Sequence, residues 1–182
     1  MRVVLTYRDY AALPADSKRY ELHEGELFVT AAPGTPHQRL VLALVVVLRE
    51  HVRARHLGEV FVSPIDCIMS DVTVLQPDIV FVGAERASVV RPRGIEGAPT
   101  LVVEVVSPST ASIDRGTKLQ LYARYGVPFY WIVDADARRI EAHALEGSAY
   151  RLAATLEGAQ AGALPPFAEL VLDAGRLWTG DL

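Results

Sequence analysis

Leu101-Val-Val-Glu-Val-Val-Ser-Pro-Ser-Thr-Ala-Ser-Ile-Asp-Arg-Gly-Thr-Lys118 is the stretch on which the fold turns. Its first six residues are apolar except for Glu104. A near-continuous apolar run is expected of a strand in the middle of a sheet covered on both faces. Pro108 ends that strand. A helix is predicted from Ile113 to Tyr125, with Gly126 as its stop and Pro128 beyond. Lys118 falls in its second turn. Upstream, Gln76-Pro-Asp-Ile-Val-Phe-Val82 places Asp78 at the start of another apolar strand.

Working outward, Thr6 to Leu13 reads as a short opening helix, with Thr6 as N-cap and Asp9 three residues on. Arg19 to Val29 alternates around a turn at Glu24-Gly25 and predicts a hairpin, with Leu22, Leu27 and Val29 apolar. A long helix is expected from about Pro36 to Leu57, stopped by Gly58. Its apolar residues nearly surround the axis, which predicts a well-buried element. Glu59 to Met69 and Val74 to Val82 read as two strands around a turn at Ser70-Asp71. Ala84 to Ala98 reads as loop. Phe129 to Val133 and Arg139 to Leu145 pair through the turn at 134–138, and Tyr150 to Leu156 and Glu169 to Leu172 add edge strands. The order predicts a mixed α/β domain with one central sheet, a single domain over residues 1–182.

Composition bounds the function. The 182 residues are 51% hydrophobic and 22% charged, enough for a proper core, with a formal net charge of −4. A mostly electrostatic nucleic-acid binder is normally basic. The balance therefore argues against avid nonspecific DNA binding and leaves room for a local basic cleft. Cys67 is the single cysteine, so no intrachain disulfide forms, and it reads as a small buried hydrophobe. The N-terminus lacks a long apolar signal region. Leu40 to Leu48, the longest apolar run, is far short of the ~20 residues that span a bilayer. The expectation is a cytoplasmic protein with no membrane association.

Glu104 is the charge that needs a reason. Burying an unpaired carboxylate costs several kcal/mol. Its compensation is either a structural ion pair, with Lys118 or an arginine, or a divalent cation. Asp78, flanked like Glu104 by apolar residues, points towards the cation, although Asp after Pro is also a common turn residue. Oxygen ligands of this kind suit Mg²⁺ or Mn²⁺. Lys118 could orient a water or stabilise charge on a phosphate, and is otherwise a solvated helix lysine. Two strand-borne acids and a lysine make up a minimal kit for metal-assisted phosphodiester cleavage.

Other signals carry less. His37 at the opening of the long helix reads as capping or packing, with phosphate contact or proton shuttling, in support of the site, as the alternative. His51 and His56 are five apart and do not share a helix face. Arg49, Arg53 and Arg55 read as a solvated helix end, and Arg91-Pro-Arg93 as a loop or a DNA-facing loop. Ser107 and Ser109 lack a nucleophile elbow. Asp134 and Asp136 make a turn.

The chain resembles the Uma group of restriction-type endonucleases within the PD-(D/E)XK nuclease superfamily. The resemblance runs roughly from Thr6 to Leu145. It is carried by Tyr20-Glu-Leu-His-Glu-Gly-Glu-Leu27, His37, Pro77-Asp78, Gly97 to Thr110, Asp114 with Lys118 and Tyr122, Gly126-Val127 and Tyr130 to Asp134. It implies a restriction endonuclease-like α+β core over about residues 19–145, with a mixed sheet flanked by helices. It implies Asp78 and Glu104 as metal ligands, joined by the Val105 carbonyl, and Glu21 as a further acid with Glu26 its competitor. Val106 stands where the superfamily pattern has lysine, and Lys118 on the next helix fits the displaced role. Tyr122 would support the lysine or pack. DNA as substrate and a homodimer are implied in the same way. Two other readings stand beside it: a catalytically silent nuclease-fold module that binds nucleic acid or a protein, and a structural domain in which Glu104 is simply paired.

Overall fold

The computed structural model describes residues 3–179 other than 15, 17, 31, 108 and 109. The chain order is α1 (Tyr7–Ala11), β1 (Arg19–His23), β2 (Glu26–Thr30), α2 (Thr35–Ala54), β3 (Gly58–Val62), β4 (Cys67–Ser70), β5 (Thr73–Leu75) and β6 (Ile79–Gly83). A 3₁₀ turn follows, then β7 (Val90–Arg91), β8 (Gly94–Glu96), β9 (Leu101–Val106) and α3 (Ala111–Ile113). A π-helical turn (Asp114–Lys118) leads into α4 (Leu119–Arg124), β10 (Phe129–Asp134), β11 (Arg139–Glu146), β12 (Ala149–Glu157), β13 (Ala161–Leu164), β14 (Phe167–Asp173) and α5 (Ala174–Thr179).

β9 is central, as its sequence predicts. It runs parallel to β10 and antiparallel to β6 in a six-stranded sheet ordered β12-β11-β10-β9-β6-β3. All six of its residues are buried. Alternation divides them between two cores. Leu101, Val103 and Val105 join Ile79, Phe81, Trp131 and Val133 beneath α2, whereas Val102 and Val106 pack with Leu75, Tyr122 and Tyr130. Glu104 shares the second face. Pro108 and Ser109 lie outside the described residues.

The single central sheet of the sequence reading is replaced by two. A second six-stranded sheet, β2-β1-β5-β4-β8-β7, lies over the face carrying Val80 and Val82, where Cys67 and Ile95 meet them. Pro77 is the cause of the division. It donates no ladder hydrogen bond, so the expected strand from Val74 to Val82 splits into β5 in one sheet and β6 in the other. Glu59 to Met69 splits likewise into β3 and β4, and the expected loop from Ala84 to Ala98 holds the 3₁₀ turn and the β7–β8 hairpin. β13 and β14 form their own two-stranded sheet.

The β1–β2 hairpin forms at the expected turn, with Glu24 and Gly25 both at positive φ. In α2 the burial is one-sided: Leu40, Leu44 and Leu48 face the core while Leu42 is 64% exposed. Its C-terminus also departs from expectation. His56 at φ 53° takes the left-handed position, and the Leu57 N–H donates to the Val52 carbonyl. Gly58 instead begins β3. Among the described residues no helix is long and apolar enough to cross a membrane.

Candidate active site

Backbone register brings the two acids together. Ile79 pairs with Val103, so Asp78, one residue earlier, lies beside Glu104. Asp78 Oδ2 accepts the Val105 N–H at 2.8 Å and approaches His37 Nε2 at 3.0 Å. Arg19 Nη1 donates to Oδ1 at 3.1 Å, and its Nη2 donates to the Gln76 carbonyl. Pro77-Asp78 is the crossing between the two sheets, which is why an aspartate there reaches residues of both.

Lys118 holds the other half. Its Nζ lies 2.9 Å from Glu21 Oε1, 3.0 Å from Glu104 Oε1 and 3.6 Å from Asp114 Oδ1. The Tyr122 hydroxyl donates to Glu104 Oε1 at 3.0 Å. Glu21 Oε1 also accepts the Gln76 N–H at 2.7 Å, and its Oε2 is 3.1 Å from His23 Nε2. The π-helical turn spans Asp114 to Lys118, and the buried Tyr130 hydroxyl donates to its Asp114 carbonyl at 3.0 Å. Such turns recur at functional sites. Arg19, Glu21, Asp78, Glu104, Asp114 and Lys118 all line one cleft of about 480 Å³.

The electrostatics divide this cleft. For Asp78, burial works against ionisation, but His37, Arg19 and the Val105 N–H outweigh it and hold the carboxyl below its usual range. Burial would also raise Glu21; Lys118 and His23 overcome it and bring it down to about 2. Burial dominates at Glu104, and with the nearby acids Asp114, Asp78 and Glu21 it pushes that carboxyl well up despite Lys118. Asp114 is raised for the same reasons. Burial opposes the Lys118 charge, yet Glu104, Glu21 and Asp114 together raise its pKa.

The structure brings Glu21, Asp78, Glu104, Lys118 and Tyr122 together, and His37, the expected capping or supporting residue, lies against Asp78. Tyr122 supports Glu104 directly. Glu26 is exposed and does not line the cleft. Arg19, His23 and the role of Asp114 are new. Their signal is present in the sequence: Arg19, Glu21 and His23 alternate on one face of β1, and Asp114 precedes Lys118 by four. His51 is buried against Phe167, Arg55 pairs with Glu169, and the Ala137 N–H donates to Asp134 in the expected turn.

The family model for Uma2, described as "Putative restriction endonuclease", matches residues 7–175. The chain belongs to the Uma2 family. The match extends past Leu145 to take in β12, β13 and β14. Among solved structures, the Uma2 chain is similar to a crystal structure titled as that of a putative nuclease belonging to DUF820 from Anabaena variabilis ATCC 29413. Identity is 20%, the TM-score is 0.78, and the match covers 98% of this chain and 99% of that one. The α+β architecture, mixed sheets flanked by helices, is common to both. No curated protein matches the chain.

The residues present fit a hard cation by donor chemistry. Four carboxylates line the cleft against two permanently cationic side chains, Lys118 and Arg19, and two of those acids resist ionisation as the cleft stands. Yet among the described residues no three Asp, Glu, His or Cys side chains gather into a ready-made cage. Lys118 occupies the centre of one group, and Asp78 is turned to Arg19 and His37. Mg²⁺ is compatible with this, because it is commonly held by one or two carboxylates while waters and substrate phosphates complete its shell.

Proposed function

We propose that this Uma2 chain is a Mg²⁺- or Mn²⁺-dependent endonuclease that hydrolyses phosphodiester bonds in DNA. The observation that carries the reading is the buried Lys118 bridging Glu21 and Glu104, with Asp78 beside Glu104 on the neighbouring strand. Asp78, Glu104 and the Val105 carbonyl would hold the ion. When bound, it would neutralise the scissile phosphate and lower the pKa of a coordinated water.

The chain's own residues do the positioning. Glu104 is fixed by Tyr122 and Lys118 before any ligand arrives. Glu21 in turn fixes Lys118 from the other sheet. Because its neighbours raise its pKa, Lys118 stays protonated at neutral pH and is no general base. Its ammonium donates to the attacking water or to a phosphate oxygen and offsets the charge that builds there. Water adds to phosphorus as the P–O bond to the leaving oxygen breaks, without a covalent enzyme intermediate.

A second reading, a silent nuclease-fold module that binds nucleic acid or a protein, has its own observation. Val106 fills the in-strand lysine position, and both candidate ligands already have cationic or hydrogen-bonding partners. Pairing of Glu104 alone does not separate the readings, since an active site and a structural ion pair would both show it. Cleavage of supercoiled and single-stranded DNA does. Wild type should cut with Mg²⁺ or Mn²⁺, stop in EDTA, and lose activity in Asp78→Ala and Glu104→Ala. Folded wild type that never cuts supports the silent module, and cutting that survives both substitutions overturns the site.

A further inference from the structure

We propose that a polynucleotide strand bound in the cleft continues past Asp78 along a polar groove to the β7–β8 turn, where Arg91 meets its backbone. The proposal rests on the nuclease reading above. Two more cavities prolong the cleft. The first, about 360 Å³, shares Arg19, His37 and Asp78 with the cleft wall. The second, about 400 Å³, shares Pro64 and Gln76 with the first and ends on Arg91 and Arg93. Arg19 and His37 therefore stand at a junction, not at a closed end.

The acidic excess of the lining falls away along this path. The cleft holds four carboxylates against Lys118 and Arg19. Beyond Asp78 the groove gains Lys18, Arg91 and Arg93 against Asp16 and Asp66; Lys18 lies 3.9 Å from Asp16 and Arg93 pairs with Glu96, so Arg91 carries the balance of positive charge. Asp16 accepts from the Tyr20 hydroxyl at 2.8 Å, and Asp66 accepts from the Tyr10 hydroxyl at 2.7 Å and the Gln76 amide at 2.8 Å. Arg93 is fixed by two hydrogen bonds to Glu96 and lies over the Tyr7 ring. Arg91, two residues earlier in the same turn, is exposed. A cation-seeking centre followed by a hydrogen-bonding groove that ends on an exposed arginine suits a chain of phosphates. An isolated small anion would need the centre alone.

The test uses fluorescent oligodeoxythymidines of about 4 and about 16 nucleotides, the range a single-strand groove covers. Anisotropy is read in EDTA across a salt series, so that neither metal nor cleavage is needed. The longer probe should bind wild type more tightly than the short one. The double variant Lys18→Ala, Arg91→Ala should lose that gain, with its log Kd–log salt slope reduced by about 1.4, at about 0.7 for each single-strand phosphate contact removed. Arg49→Ala with Arg53→Ala, on a separate basic cavity, should leave both unchanged. A wild-type slope in the Lys18/Arg91 variant, or a lost gain in the Arg49/Arg53 variant, overturns the groove while leaving the nuclease reading intact. If neither probe binds wild type, the groove falls, while the nuclease reading is decided separately by the cleavage assay with metal.

Discussion

On one side of the cleft, three carboxylates, Glu21, Glu104 and Asp114, share the Lys118 ammonium. On the other, the single carboxylate of Asp78 receives an arginine, a histidine and a backbone N–H. Both groups set buried carboxylates against basic side chains. Their charge balance is opposite. Asp78 is comfortably ionised, whereas two of the three acids around Lys118 are held towards the protonated form. The difference shows that burial alone does not set a carboxyl's state. The ratio of donors to acceptors within reach does, and the Lys118 side is the one left short of positive charge.

Removing the ammonium should break the comparison most strongly. Lys118→Met strands three buried carboxylates, and urea denaturation at pH 7 should show a loss of about 3–5 kcal/mol, as for a broken buried pair. That loss should shrink as pH falls and the acids protonate. Next is Glu21→Gln. The Glu21 carboxyl is lowered in the folded protein, so its contribution is present above its ordinary pKa and disappears as pH falls towards about 2. At neutral pH the substitution should cost roughly 2 kcal/mol, the scale of a hydrogen bond to a charged group, and almost nothing in acid.

Glu104→Gln should have the opposite pH trend, which sharpens the contrast within the Lys118 group itself. The Glu104 carboxyl is raised, so the stability it contributes is present at low pH and is lost as pH rises through the raised value. The amide does not titrate. The variant should therefore gain on wild type in urea unfolding as pH rises above the ordinary carboxylate range, even though it loses activity. Parallel pH profiles for Glu21→Gln and Glu104→Gln would dissolve the distinction between them. The smallest effect is expected for Tyr122→Phe, about 1 kcal/mol in thermal or urea unfolding, since it removes one hydrogen bond and keeps the ring packing.

The chain by itself determined the strand that organises the sheet, because six consecutive residues with one acid leave β9 no solvent face. It determined the β1–β2 hairpin through Glu24-Gly25, whose positive φ angles suit that turn. It also singled out Asp78, Glu104 and Lys118. Asp78 and Glu104 are acids against apolar strand residues, a mismatch readable without coordinates, and Lys118 stood out only beside those two acids. Tertiary structure alone decided the rest. It split the Asp78 strand between two sheets, because the missing Pro77 N–H matters only once a ladder partner exists. It chose Glu21 over Glu26, since two acids five residues apart in a hairpin differ only in what packs against them. It gave α2 one buried face and one exposed face, because apolar content does not say which side finds a sheet. And it set Glu21 and Glu104 titrating in opposite directions around the same lysine: His23 is two residues from Glu21 and Asp114 four from Lys118, but only the fold brings these pairs and the distant Gln76 N–H together around one ammonium.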